Sequence, residues 1–132
     1  MSNLTAIVTC LALLLYVVLF TRVATERAKY NILAPATTGH PAFERAFRIQ
    51  ANTGEQLVIF LPGLWLFSLY IAPLWASLLG IVWIAGRVVY AVSYNRDPQR
   101  RTFGFAVASL ASAVLLLGSL IAAAWQLVHS GI

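Results

Sequence analysis

The chain has 132 residues, 61% of them apolar and 10% charged, against about 45–50% and about 25% in soluble domains. That excess in so short a chain excludes a soluble core and indicates an integral membrane protein with one domain spanning residues 1–132. A net charge of +5 would suggest nucleic acid as partner of a soluble protein, but here all nine basic residues fall in two windows: Arg22, Arg27, Lys29, Arg45 and Arg48, then Arg87, Arg96, Arg100 and Arg101.

The termini and the segment near Pro73 carry no Lys or Arg. This distribution predicts four crossings with both basic windows cytoplasmic and both termini outside.

The first span is expected over residues 4–30. Its apolar stretch Leu4–Phe20 is uncharged, and the basic residues follow it rather than precede it, which speaks against a cleaved signal peptide. Cys10, the single cysteine, excludes an internal disulfide and reads as a small packing residue. Residues 34–41, A-P-A-T-T-G-H-P, form a loop, because two prolines and a glycine stop a helix. His40, within it, has no second His or Cys nearby for a metal, and none is expected elsewhere.

The second helix is placed at residues 42–72, with Pro62-Gly63 expected to kink it. A very short turn before Pro73 makes helices two and three an antiparallel hairpin. The third helix is placed at 74–95, with Gly80 and Gly86 marking close helix contacts. Trp65, Trp75 and Trp125 are candidates for an interfacial belt. Asp97-Pro98 reads as an N-cap followed by proline at the first helical position, so the last helix is placed at 98–129. The fold class is therefore all-α, a four-helix membrane bundle.

Two polar stripes stand out. At 100° per residue, Arg45, Arg48, Asn52 and Glu55 fall within about 80° of one face of the second helix. Arg87, Tyr90 and Tyr94 fall within about 60° of one face of the third, and Arg101 follows in the next turn. Both stripes lie at the cytoplasmic ends of their helices and can meet there. Polar groups are costly in a membrane, so such stripes indicate a site.

The complementary ligand is small and mostly anionic, with one cationic group. Arginines would take its carboxylates or phosphates. Glu55 would take an ammonium. Topology alone also puts arginines at cytoplasmic helix ends beside anionic lipid headgroups, and spacing does not choose the ligand.

The stretch F-E-R-A-F-R-I-Q-A-N-T-G-E from Phe43 resembles the second-helix signature of the MAPEG family, the membrane-associated proteins in eicosanoid and glutathione metabolism. The A-T-T-G-H-P loop before it fits, and R-V-V-Y-A-V-S-Y-N-R-D-P-Q-R-R, Arg87–Arg101, resembles the third-helix motif and the loop after it. The nearest branch is that of the cysteinyl-leukotriene synthase and the smaller microsomal glutathione transferases.

The resemblance implies a homotrimer with glutathione as co-substrate between neighbouring subunits. It implies glutathione contacts from Arg27, Arg48, Gln50, Asn52, Glu55, Tyr90 and Tyr94, with Arg101 at the thiol. Gln50 lies about 140° around the helix from Arg45 and so would face a neighbouring subunit's ligand. For Arg45 and Arg87 it leaves open a structural role or a place at the rim. Gln56 departs from the leukotriene-synthase branch, which has tyrosine there.

The implied activity is a glutathione transferase acting on hydrophobic electrophiles, with glutathione peroxidase activity on lipid hydroperoxides as an accompanying reaction. Its partners are hydrophobic electrophiles, lipids and further copies of the chain. The alternatives are a non-catalytic lipid-binding scaffold of the same family and a small multidrug transporter. The transporter would need a carboxylate deep in the first helix, where none lies between Leu4 and Phe20. The compact loops fit a bacterial inner membrane.

Overall fold

The computed structural model describes all residues, Met1–Ile132. It contains α1 (Asn3–Tyr30), α2 (Pro41–Tyr70), α3 (Pro73–Arg96), a 3₁₀ turn (Pro98–Arg101) and α4 (Thr102–Ser130). At 1.5 Å per residue the four α-helices are about 36–45 Å long, more than a hydrocarbon core of about 30 Å. By length and composition α1, α3 and the Pro98–Ser130 segment can each cross a membrane. Helix α2 has 30 residues, enough by length alone, but its first half carries the charged stripe.

Local chemistry sets the helix boundaries. Ser2 caps α1 by accepting from the Thr5 amide. Asn31 ends it in the left-handed region at φ 55°, where Asn is well tolerated. His40, read as a plain loop residue, has two structural tasks. Its Nδ1 accepts from the Ala42 amide as the N-cap of α2, and its ring stacks on Tyr30 with centroids 3.6 Å apart. Helix α2 runs through Pro62 without interruption. Only Ile71 and Ala72 separate α2 from α3, and Pro73 opens α3.

The helices alternate in direction. Thr9 meets Trp65 and Tyr16 meets Gln50, so α1 and α2 run antiparallel. Phe60 stacks on Trp83 at 4.1 Å while Asn52 bonds Arg87, so α2 and α3 do too. Gly86 lies against Ala108 and Tyr90 against Gly104, which makes α3 and α4 antiparallel. The C-terminal ends of α1 and α3 and the N-terminal ends of α2 and α4 therefore share one end of the bundle. Both basic windows gather there.

The core is built around Val8, Ala12, Phe60, Leu64, Trp83, Ala108 and Leu115. Outside it the surface is a continuous layer of Leu, Val and Ile, and only 29 of 132 residues are buried. That is the outside of a membrane bundle, whose solvent is lipid. Cys10, expected as a packing residue, is exposed on this layer.

The expected close contacts at Gly80 and Gly86 are present. A Cβ on Gly80 would lie 2.5 Å from Val8 Cγ1, and one on Gly86 would lie 2.8 Å from the Ala108 amide nitrogen. Of the expected belt residues, Trp75 and Trp125 are exposed, whereas Trp65 is half-buried and donates to Thr9 Oγ1.

Candidate active site at the basic end of the bundle

At the basic end, α2, α3 and the start of α4 enclose a cavity of about 360 Å³. It is lined by Arg48, Asn52, Tyr90, Tyr94, Arg101, Thr102 and Phe105. Small-molecule sites typically span roughly 300–1,000 Å³. The two stripes read from the sequence therefore meet. Arg48 and Asn52, one turn apart on α2, form one wall. Tyr90 and Tyr94, one turn apart on α3, form another, with their rings 5.6 Å apart.

Arg101 reaches the cavity through a local feature that the sequence showed only in part. Asp97 does cap the segment, its Oδ1 accepting from the Gln99 amide, and Pro98 does follow it. The segment so capped is a four-residue 3₁₀ turn, and the α-helix proper begins at Thr102. Arg101 is thus the N-cap residue of α4. Its Nη1 donates to the Pro98 carbonyl at 2.9 Å, and its guanidinium carbon lies 5.9 Å from the Tyr94 ring centre. The N-terminus of α4 begins at the next residue, so the helix dipole adds to the positive charge of the side chain. Thr102 and Phe105, also in the wall, are absent from the sequence reading. Phe105 follows Arg101 by four residues on one helix face, and that spacing was their only signal.

Three expected residues lie outside the cavity in the single chain. Arg27 on α1 donates to the Ala36 carbonyl at 2.8 Å and stacks on Phe43 at 4.7 Å, tying down the α1–α2 loop. Gln50 donates to the Tyr16 hydroxyl at 2.8 Å on the α1 side of α2. Glu55 is exposed on the stripe side of α2. It forms no salt bridge with Arg45 or Arg48: the one ion pair of the chain joins Arg100 to Asp97 at 3.9 Å. Gln56 is half-buried and does not line the cavity.

Arg87 is not at the rim. It is fully buried, and its Nη2 donates to Asn52 Oδ1 at 2.9 Å and to Thr53 Oγ1 at 2.7 Å. Its guanidinium carbon sits 4.0 Å from the centre of the Tyr90 ring.

The cavity thus offers two guanidinium groups, an amide and two phenols to a ligand rich in carboxylates. Residues 5–121 match the sequence model of the MAPEG family. The chain belongs to the MAPEG family. An uncharacterized protein of Synechocystis is 50% identical over 122 residues, covering 92% of this chain and 89% of the relative. Human microsomal glutathione S-transferase 2 is 38% identical over 100 residues, 75% of this chain and 68% of that one. Bovine leukotriene C4 synthase is 35% identical over 96 residues, 73% and 64% of the two chains. The apolar helices and the membrane-associated family together make this MAPEG chain a membrane protein. Glutathione-related chemistry is the family-level function these relatives support.

Proposed function

We propose that this chain is a membrane-embedded glutathione S-transferase that activates the glutathione thiol for attack on hydrophobic electrophiles. The observation that carries this reading is the convergence of Arg48, Asn52, Tyr90, Tyr94 and Arg101 on one cavity at the basic end. Glutathione has two carboxylates, one ammonium and one thiol. Arg48 and Asn52 would bind a carboxylate. Tyr90 and Tyr94 would line the peptide, and Glu55 at the edge of the stripe would take the ammonium.

Arg101 would hold the sulfur. A free thiol of pKa ~8.5 is only about 3% ionised at pH 7. A drop of about two units makes most of it thiolate, for ~2.7 kcal/mol of differential stabilisation. A guanidinium backed by a helix N-terminus supplies stabilisation of that order. The thiolate then forms a carbon–sulfur bond, the leaving group departs with its electron pair, and the thiol proton goes to water. An apolar acceptor would arrive from the bilayer and be held beside the sulfur. The same thiolate would reduce a lipid hydroperoxide to its alcohol by attack on the outer oxygen, leaving a glutathione sulfenate that a second glutathione converts to the disulfide and water.

Arg27 and Gln50 face away from the cavity of their own chain, which supports a homotrimer whose neighbouring subunit brings them to the ligand. In the membrane we place both termini outside and the basic end on the cytoplasmic side of a bacterial inner membrane.

The test is Arg101→Ala. Turnover with chlorodinitrobenzene should fall at least about tenfold, the ultraviolet absorbance of bound thiolate should vanish at neutral pH, and glutathione should still bind. Unchanged turnover removes Arg101 from the chemistry. Absence of glutathione binding by the unaltered protein overturns the whole reading.

A further inference from the structure

Arg87 is fully buried, yet it touches two walls of the cavity from behind. Its Nη2 donates to Asn52 Oδ1, and its guanidinium carbon sits over the Tyr90 ring, 4.0 Å from its centre. Arginine has five N–H donors and no acceptor. The Asn52 amide can therefore meet it only through Oδ1. Once that oxygen is taken, the Nδ2 side of the same amide is left for the cavity, because the two ends of a planar amide point in different directions. Thr53 Oγ1 shares Nη2, and the Thr53 hydroxyl itself donates to the Ile49 carbonyl. Arg87 is thereby anchored to two consecutive residues of α2 and cannot swing away from Asn52 without breaking both bonds.

We infer that Arg87 is a positioning residue that fixes the Asn52 amide with its N–H groups toward the ligand, making this wall of the cavity select a carboxylate over a carboxamide. Without such a constraint an asparagine discriminates little, since a half-turn of the amide exchanges donor for acceptor. With the constraint, Arg48, Asn52 and Arg101 all meet the ligand as donors, and the Thr102 hydroxyl is the one group of α2 and α4 there free to do either. A carboxylate is satisfied there, while a carboxamide in the same place would oppose N–H to N–H for at least one of its rotamers. Arg87 also packs over the Tyr90 ring, so one buried side chain touches both walls from behind. This inference rests on the glutathione reading above.

The experiment compares glutathione with its two monoamides, the glycyl carboxamide and the γ-glutamyl α-carboxamide, by titration calorimetry in detergent. The variants are Arg87→Lys and Arg87→Gln. Lysine is also a donor without an acceptor, whereas glutamine offers both and releases the constraint. The unaltered protein should prefer the acid to one of the monoamides by about tenfold, the value of one charge-assisted hydrogen bond. Arg87→Lys should keep most of that preference. Arg87→Gln should reduce it to within about twofold, as Asn52→Ala should.

Equal weakening of acid and amides by both Arg87 variants, with the preference unchanged, overturns the inference and leaves Arg87 a purely structural residue. Where Arg87→Gln does not accumulate, ¹⁵N-labelled unaltered protein decides. The Asn52 side-chain N–H pair, identified by its loss in Asn52→Ala, should shift when glutathione is added, and an unmoved pair overturns the inference. If the unaltered protein binds no glutathione, the proposed function falls and this inference falls with it.

Discussion

Asn52 and Thr53 are neighbours in sequence, and the buried Arg87 guanidinium holds both. The two differ in what the chain can tolerate. Thr53→Val keeps the shape but removes the acceptor of a buried charged donor. Interhelical hydrogen bonds in membranes average about 0.6 kcal/mol and reach about 1.7, and a charged donor left unpaired lies at the upper end. Thr53→Val should therefore cost about 1–2 kcal/mol, read as a lower thermal midpoint in detergent with glutathione affinity nearly intact. A large loss of affinity at unchanged midpoint would contradict this division of tasks. Much of the site was legible at this scale. Arg48 and Asn52, and Tyr90 and Tyr94, are pairs one helical turn apart, and helical spacing is what a sequence states directly. Depth is what it does not state. Arg87 shares the face of Tyr90 and Tyr94 but sits one turn further into the bundle, so periodicity could not separate a ligand contact from its buried support. Tyr16, the partner of Gln50, was unmarked because one tyrosine in an apolar run has no spacing to read.

The position of Tyr90 in the cavity depends on how closely α3 approaches α4. At their crossing Gly104 faces the backbone of α3, and a Cβ there would overlap the Tyr90 amide and lie 2.7 Å from the Gly86 carbonyl oxygen. Backbone cannot move aside as a side chain can. Gly104→Ala must push the two helices apart, and Thr102 and Phe105 on one side then part from Tyr90 on the other. The expected cost is about 1–3 kcal/mol in stability, together with weakened glutathione binding. Gly63 is the control. A Cβ there would meet Leu115 Cβ at 3.4 Å, an ordinary contact, and alanine favours the helix by roughly 0.5–1 kcal/mol. Gly63→Ala should leave the thermal midpoint unchanged or raise it, and a fall as large as that of Gly104→Ala would sink the argument. Close approach at Gly86 was readable from a small residue in an apolar helix. Its partner Gly104 was not singled out, although the last helix was placed at 98–129 around it, because one glycine does not say which neighbouring backbone it faces. The 3₁₀ turn was hidden for a related reason: Asp-Pro announces that a helix begins, but not which kind of helix comes first.

For the molecule as a whole, the alternation of helix direction follows from loop length and the gathering of basic residues at one end follows from their spacing. Both were legible. In a Cys10→Ser background, a membrane-impermeant maleimide added to intact cells should label Gly131→Cys at one end and spare Thr38→Cys in the α1–α2 loop. The reverse pattern would invert the proposed orientation. The proposed division of the site between subunits rests on the family resemblance and on the place of Gln50, about 140° around α2 from Arg45, and it concerns surfaces that meet only in an assembly. It is testable by mixing. Chains carrying Arg27→Ala and Gln50→Ala, co-assembled with chains carrying Arg101→Ala, should recover activity that neither shows alone, since some interfaces then combine an intact cavity with intact neighbouring residues. No recovery in verified mixed assemblies would leave the site within one subunit.

Phe105, in the wall of the cavity, is 39% exposed on the outside of α4. If the acceptor of the proposed reaction enters past it from the bilayer, the quantity that sets the rate is its mole fraction among the lipids and not its concentration in water. At fixed total electrophile, added phospholipid vesicles should slow turnover by surface dilution, and more hydrophobic acceptors should show the effect more fully. A rate indifferent to lipid content would mean that the acceptor comes from the aqueous side.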